Sequence, residues 1–524
     1  MGNLDFLEFY CYLTVKFLYN IQMKRFWIVL SVMLPTFIEV LDTTVNNVAL
    51  RHIQGDMSAG VDESTWIITS YLVANAIVIP MAGWLSRIFG RKNYLIFSIA
   101  LFTIASFFCA ISWSFSSLLF FRTLQGIGGG GLQPLSQSIL LEVFPKEQYG
   151  KAMGIYGMGI ILAPILGPIF GGWIADNFSW RWIYYINIPI GIISILMTYL
   201  VIEDPPYLKR EKLKINYPGL IFLSLGIGCL QIVLDKGERE DWFESDFIVT
   251  LSIVSFISLI LLVWWELKKA KNPIVDFRLF KDRNFLFGNI IMFFTFFNLF
   301  GSIILLPIYV QNLMGYTAFL AGLVLGPAGV IQLIAFPLSG KITDRINPKI
   351  PLTFGIILYA YSTYLMSLFN LQTDFWSFVY PRGVLAVGMA FVITPLAVMT
   401  MAFIPKEKMQ DATPISAVIR NIGGSVGTAI VTTIVSQRSQ LHQYRLVENL
   451  TPYDFSYQMA IEKLNEYLSL KTLLSSEGVI YRELIRQSQA IAFNEAFLIL
   501  SVAMFSMLLT VLFFRVRKYS KSKM

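Results

Sequence analysis

FFRTLQGIGGGGLQPLSQSILLEVFPKE at 120–147 and YPRGVLAVGMAFVITPLAVMTMAFIPKE at 380–407 are two apolar runs with one punctuation. Each holds an arginine, Arg122 or Arg382, and 23 residues later a proline opens a matched string: Phe144-Pro145-Lys146-Glu147 and Ile404-Pro405-Lys406-Glu407. The copies lie 260 residues apart. A looser pair, GWLSRIFGRK at 83–92 and GKITDRINPK at 340–349, is displaced by 257 residues. Arginine and Pro-Lys recur by chance at helix ends, but equal spacing with a matched string argues against coincidence. Both pairs fall at corresponding helix ends of two halves, the pattern of a carrier built from two repeated bundles around a midplane site.

The rest of the chain supports a membrane setting. Of 524 residues, 56% are hydrophobic and 14% charged, with mean hydropathy +0.63, which is not the composition of a soluble protein. Apolar stretches of roughly 20 residues, enough to cross about 30 Å of hydrocarbon, recur from Phe26 to Phe514. Fourteen spans are expected, at 26–50, 62–84, 93–112, 115–143, 150–174, 181–202, 217–235, 246–266, 284–309, 318–340, 351–369, 375–403, 412–437 and 490–514. Hydrocarbon offers backbone groups no partners, and these stretches are too long for barrel strands, so all should be helices.

The expected fold is therefore all-α and integral to the membrane. A cytoplasmic or interfacial N-terminus (1–25) precedes a six-helix bundle (26–202). A two-helix hairpin with its flanking loops (203–283) is inserted before a second six-helix bundle (284–514), and a basic tail (515–524) ends the chain. Within the second bundle, 438–489 is expected to be a long periplasmic helical loop with two short apolar stripes, Met459, Ile461, Leu464, Leu468 and Ile480, Leu484, Ile485. These stripes either dock a partner or pack on their own protein.

The net charge of +8 reports topology rather than nucleic-acid binding. If both termini are cytoplasmic, most of the 41 Lys and Arg fall in cytoplasmic connections, as the positive-inside rule requires. The cluster Lys209, Arg210, Lys212, Lys214 and the tail residues Arg515, Arg517, Lys518, Lys521 and Lys523 face anionic headgroups on this reading. Cys11, Cys109 and Cys229 are too few and too scattered for a disulfide framework. The first 22 residues do not read as a signal peptide, since Asp5 and Glu8 stand where a basic region belongs. They form an interfacial helix or precede a start at Met23.

Chemistry concentrates in a few spans. FIEVLDTTVNNVAL at 37–50 carries Glu39, Asp42, Asn46 and Asn47 inside an apolar helix. At about 100° per residue the first three share one face. A charged acid at mid-bilayer costs about 2.5–3.5 kcal/mol, so this face should meet a cavity. A carboxyl that conformational change exposes and covers can load and unload a proton. Arg122 is the best partner for it, and the plainer reading is an ion pair that only fixes two helices. Arg382 and Arg420 have no obvious acidic partner. In GIILAPILGPIFGG at 159–172, Gly159, Ala163, Gly167 and Gly171 recur every fourth residue beside Pro168 and Gly172. That spacing permits close helix approach.

GWLSRIFGRK reads as a tight loop whose Gly83 and Gly90 permit the turn, with Arg87, Arg91 and Lys92 available to latch the bundles. Gln133, Gln137, Asn187 and Gln332 are polar groups within spans and candidates, with Asn46, Phe297, Asn298 and Arg420, for a substrate cavity. Phenylalanines at 293, 294, 296, 297 and 300 face either that cavity or lipid.

Together LDTTVNNVAL, GWLSRIFGRK, FFRTLQGIGGGG, GPIFGGWI, WRWIYYINIPIGI, LDKGEREDWF and NPIVDFRLFKDRNF resemble the fourteen-span drug:proton antiporters of the major facilitator superfamily, EmrB/QacA type. The resemblance runs from about residue 26 to 514. It implies alternating access, with hydrophobic toxic compounds expelled across a bacterial inner membrane in exchange for protons and no other cofactor. On it, Asp42 takes the place of the first-helix acid, with Glu39 as helper, and Arg122 that of the fourth-helix arginine. Ala163, Gly167, Pro168, Gly171 and Gly172 fall on the antiporter motif. Gly83, Gly90, Arg91 and Lys92 match the loop after the second helix. The wider family has Asp then Arg where this chain has Arg87 then Ile88, which puts the first-half latch in doubt; the second copy keeps them as Asp344 and Arg345. Relatives of this type work with an EmrA-like periplasmic adaptor and a TolC-like outer-membrane channel, which makes 438–489 a candidate docking element.

Other function classes are less well supported. No GxxxxGK[ST] loop argues for nucleotide-driven pumping. His52 and His442 are isolated, and no metal cluster or GxSxG elbow suggests an enzyme. The remaining alternative is a facilitator-type carrier for one metabolite or siderophore.

Overall fold

The computed structural model describes residues 2–205, 215–448, 450–468 and 476–515, without the side chains of residues 2–22 and of a few others, Pro168 among them. The basic cluster 209–214 and the tail beyond Arg515 lie outside the described residues.

In the first half, α1 (Gly2–Asp56) leads through a short α2 (Val61–Ser64) to α3 (Trp66–Val78) and its continuation α4 (Ala82–Phe89). Then come α5 (Arg91–Ala110), α6 (Phe115–Gly129) continued by α7 (Leu132–Val143), α8 (Tyr149–Asn177), and α9 (Trp182–Tyr185) continued by α10 (Asn187–Val201). The hairpin is α11 (Tyr217–Lys236) and α12 (Asp246–Lys268). The second half is α13 (Arg283–Ile308), α14 (Ala318–Arg345), α15 (Lys349–Met366), α16 (Phe375–Met401), α17 (Met409–Val447), α18 (Phe455–Leu468) and α19 (Ser476–Val511). Among the described residues, eleven helical runs are long and apolar enough to cross a membrane. The pair α6 and α7, α8 and α15 fill the remaining places in the two bundles.

Side-chain caps start several of these helices where the sequence turns polar. Ser114, Asp282, Thr317 and Asp374 each accept a backbone N–H from the first turn of α6, α13, α14 and α16. The glycine run 128–131 divides α6 from α7 and presses them on their neighbours. A Cβ on Gly126 would lie 2.5 Å from the Tyr71 carbonyl oxygen, and one on Gly128 2.5 Å from the Phe102 nitrogen. In α8 the small-residue spacing meets α1: Cβ atoms on Gly159, Gly167 and Gly171 would strike Met33, Thr44 and Val45.

The sequence repeat is a repeat of packing. In the first half α1 packs on α8 and α10, α5 on α6 and α10, and α3 on α6. In the second, α13 packs on α17 and α19, α15 on α16 and α19, and α14 on α16. The halves meet where α8 lies against α14 and α4 against α17. The hairpin helix α11 lies against both α3 and α17.

Two boundaries differ from the sequence reading. Residues 2–22 continue α1 rather than forming a separate helix. The spans that flank the outer helical loop are longer than expected, since α17 runs on to Val447 and α19 begins at Ser476, with α18 between them. Arg438 and His442 on α17 meet Glu495 on α19, at 2.5 Å and 3.0 Å, and hold these extensions together. Helix α18 packs on α19, and the Ser476 hydroxyl donates to Asn465 Oδ1 at 2.5 Å.

Candidate functional site

The two acids of α1 face different surroundings. Asp42, 2% exposed, is enclosed within the first half. Its Oδ2 accepts from Arg122 Nη1 at 2.7 Å, and its Oδ1 from Asn187 Nδ2 at 2.8 Å and Gln125 Nε2 at 3.1 Å. Arg122 also donates to Gln125 Oε1 at 2.6 Å and to the Ile67 carbonyl at 3.2 Å. Its guanidinium lies between the rings of Tyr71 and Tyr184, 4.6 Å and 5.6 Å from their centroids. Both carboxylate oxygens of Asp42 and the Nε and Nη1 groups of Arg122 thus find hydrogen-bond partners, which a buried pair needs to offset several kcal/mol of desolvation per ion.

Glu39, one turn earlier, points the other way, towards a cavity of about 160 Å³ between the halves. Its Oε1 accepts from the Tyr71 hydroxyl and Asn75 Nδ2, both at 3.2 Å, and its Oε2 from Gln133 Nε2 at 2.6 Å. Gln133 Oε1 in turn accepts from Arg420 Nη2 at 2.6 Å, from the opposite half. Apolar side chains such as Ile160, Phe296, Leu299 and Phe300 make up most of the wall.

The other predicted residues separate on the same geometry. Gln133, Gln332 and Arg420 line the cavity; Gln137 lines a smaller pocket beneath Arg420. Asn46, Asn187, Phe297 and Asn298 do not line it. The Tyr184 hydroxyl donates to Asn46 Oδ1 at 2.5 Å, and Asn187 serves Asp42. Asn298 Nδ2 ties α13 to the Leu500 carbonyl at 2.5 Å, and the Phe297 backbone packs on Gly427. The helical turn of 3.6 residues puts Phe296, Phe300 and Ile303 on the cavity face and rotates 297 and 298 away.

The second half repeats the buried arginine of the first without its acid. Arg382 lies buried on the cavity wall and donates to Ser302 Oγ at 3.1 Å, where the first half has Arg122 and Asp42. Among the described residues, neither Arg382 nor Arg420 forms an ion pair.

The ends of α4 and α14 sit at the contact between halves; the stretch read as a loop is helix as far as Phe89, so only Gly90 serves the turn and Gly83 a helix contact. Gly83 touches α17, since a Cβ there would lie 2.4 Å from the Gln410 carbonyl oxygen. Gly90 adopts φ 84°, a conformation that favours glycine. Arg91 pairs with Glu142, and Lys92 Nζ donates to the Tyr199 carbonyl at 2.6 Å, both within the first half. Arg87 reaches across, 3.2 Å from Asp411 in the first turn of α17, and also donates to the Pro273 carbonyl at 2.9 Å. Asp344 makes the reciprocal contact, accepting from the backbone N–H groups of Gly150 and Lys151 at the start of α8, at 2.7 Å and 3.0 Å. Arg345 is exposed. The first-half latch exists with its charges exchanged: the cation is in the last turn of α4 and the acid in the first turn of α17.

Sequence reading missed Gln125, Tyr71, Asn75, Ser302, Asp411 and Arg382's place on the cavity wall. Gln125 was findable, being one turn from Arg122 on the same helix. Ser302 was findable as well, standing 260 residues after Asp42 as Arg382 does after Arg122, whereas the others carry no sequence signal without their partners.

The sequence pattern of the Major Facilitator Superfamily matches residues 32–428. The chain is 38% identical over 486 residues to the multidrug export protein EmrB of Escherichia coli K12, covering 93% of this chain and 94% of that one. It is 36% identical over 478 residues to the fatty acid resistance protein FarB of Neisseria gonorrhoeae, covering 90% and 92%. Its fold is similar to that of the human organic anion transporter MFSD10, at a TM-score of 0.56, 12% identity, and coverage of 92% and 99%. With repeated packing, a central cavity and these relatives in agreement, the chain belongs to the major facilitator superfamily and to its EmrB-type branch.

Proposed function

We propose that this protein is a multi-pass inner-membrane exporter that expels hydrophobic compounds by alternating access in exchange for protons. The observation that carries the reading is the placement of two carboxyls on one helix: Glu39 on the wall of a cavity between the halves, and Asp42 one turn behind it, neutralised by Arg122. Asp42 takes up a proton only by loosening from Arg122, so protonation there and movement of α1 are linked. The EmrB relatives are named for multidrug export, and the apolar wall suits varied hydrophobic cargo. One proton crossing 100 mV supplies about 2.3 kcal/mol, enough for a tenfold gradient of cargo. No further cofactor enters the proposal.

Arg382 and Arg420 narrow the cargo. Two guanidiniums that form no direct ion pair among the described residues face a mostly apolar space, so amphiphiles with an acidic group fit best, in line with the name of the FarB relative. An EmrA-like adaptor and a TolC-like channel complete the export route on this reading, with the segment 438–489 as the docking element and both termini in the cytoplasm. Deleting 450–468 then abolishes co-purification of the adaptor while insertion in the membrane survives; retained binding refutes the docking role.

The direct test is transport in proteoliposomes with an imposed proton gradient, comparing hydrophobic acids, cations and neutral dyes. Gradient-driven movement that Asp42→Asn abolishes supports the reading. Unchanged movement in Asp42→Asn overturns the proton assignment, and no movement across the panel favours a carrier for one metabolite or siderophore.

A further inference from the structure

The chain Glu39–Gln133–Arg420 runs from the first half to the second along the cavity wall, and its central residue is an amide with one donor end and one acceptor end. We propose that Gln133 passes the protonation of Glu39 to Arg420: the three residues clasp α7 to α17 while Glu39 is charged, and release when Glu39 takes a proton. This rests on the proton-exchange reading above and adds to it the residue that links proton uptake to movement of the halves.

The chemistry follows from what each atom can do. With Glu39 ionised, Gln133 Nε2 donates to the carboxylate, so Oε1 must point at Arg420. A proton on Glu39 Oε2 turns that acceptor into a donor. If the amide flips to receive it, the Gln133 NH₂ group faces the Arg420 guanidinium, and two donors cannot bond. A proton on Oε1 instead meets Tyr71 and Asn75, and leaves Gln133 facing a neutral carbonyl in place of a charged one. Charge-assisted bonds are roughly twice as strong as neutral ones, so either position weakens the clasp.

The surroundings hold few groups to compensate. On α1 the nearest acid, Asp42, is committed to Arg122. Tyr71 and Asn75 are the polar groups of α3, Gln332 that of α14, and α13 presents only apolar side chains to the cavity. From α8, the Tyr156 hydroxyl lies 3.5 Å from Arg420 and donates to the Gln133 carbonyl at 3.2 Å. From α16 comes Arg382, held by Ser302. Arg420 is also seated 5.4 Å from the Phe296 ring centroid, to which it can retreat when freed. In this structure the clasp is closed together with the contacts of Arg87 and Asp344 at one end of the halves, and α17 carries both Arg420 and Asp411, so all three hold the halves together. Proton uptake at Glu39 therefore favours separation at that end.

The test reads that separation without cargo, which keeps it independent of the transport result above. Spin labels at exposed Phe89 and Glu407, on a background with Cys11, Cys109 and Cys229 replaced by Ala, report the distance between the loop ends by pulsed resonance. In the otherwise native protein, lowering the pH from about 8 to about 5 shifts the ratio of closed to separated molecules about tenfold. Glu39→Gln holds the acid distribution at every pH. Gln133→Met, similar in length but unable to make either bond, removes the pH response although Glu39 is present. A Gln133 with a merely structural role shifts the distances equally at all pH, and a Gln133→Met protein with the native pH response overturns the proposal. If that variant is not recovered folded, Gln133→Asn, too short to span both partners, is read in the same way.

Discussion

Arg382 donates to Ser302 across the second half as Arg122 does to Asp42 across the first, each arginine lying 80 residues after its partner. The repeat has kept the cation and dropped the acid, leaving a guanidinium on the cavity wall.

Ser302→Asp gives Arg382 the partner that Arg122 has. A hydrogen bond to a charged group contributes about 1.5–3 kcal/mol, so transport of acidic amphiphiles should weaken about tenfold or more while neutral dyes change little. Competition between the two classes in proteoliposomes measures this; equal loss for both would show that Arg382 does not read cargo charge.

Asp42→Asn leaves Arg122 charged and buried without a counter-ion, at a cost of about 3–5 kcal/mol. Its melting temperature in detergent falls, and proton-driven export is lost. Adding Arg122→Gln removes the stranded charge, so stability recovers while transport does not. That split separates the proton role from a purely structural ion pair.

The exchanged latch predicts a specific rescue. Arg87→Asp sets two acids against each other at Asp411 and lowers transport more than Arg87→Ala does. Arg87→Asp with Asp411→Asn recreates the arrangement of Asp344, an acid beside the free N–H groups of a helix start, and restores transport. Resistance conferred on a sensitive host gives the readout.

Gly167→Ala places a methyl 2.0 Å from Thr44 Oγ1, where Gly172→Ala meets only ordinary contact with Val48 at 3.6 Å. Overpacking costs about 1–3 kcal/mol, so the first change lowers the melting temperature and the second does not. Thr44→Gly recovers part of the loss in the Gly167 variant.

How much of this was legible in the sequence depended on period and pairing. The two halves and their hairpin could be read because apolar length and a repeated Arg-to-Pro spacing survive in a single chain. The Asp42 and Arg122 pair could be inferred because an intramembrane acid requires a cation and few were available. The split between Glu39 and Asp42 could not: three residues apart they share a face on a helical wheel, yet α3 and α7 reach one and α6 and α10 the other. Nor could the cavity-facing phenylalanines be chosen from a run in which Phe fits both lipid and cavity. Phe296 and Phe300 face inward because Asn298 is drawn to the Leu500 carbonyl, which sets the rotation of α13.

The hairpin makes the two flanks of the molecule unequal. Helix α11 bonds to α3 through Asp235 and Thr69, and to α17 through Gln231 and Ser425 at 3.0 Å, filling the seam between the halves on that side. Across the molecule, beside α14, methyl groups added at Gly322 or Gly326 would meet no described atom within 4 Å. The fourteen-helix plan thus gives a symmetric carrier a front and a back, one flank covered by the hairpin and the other closed by α8 packed on α14.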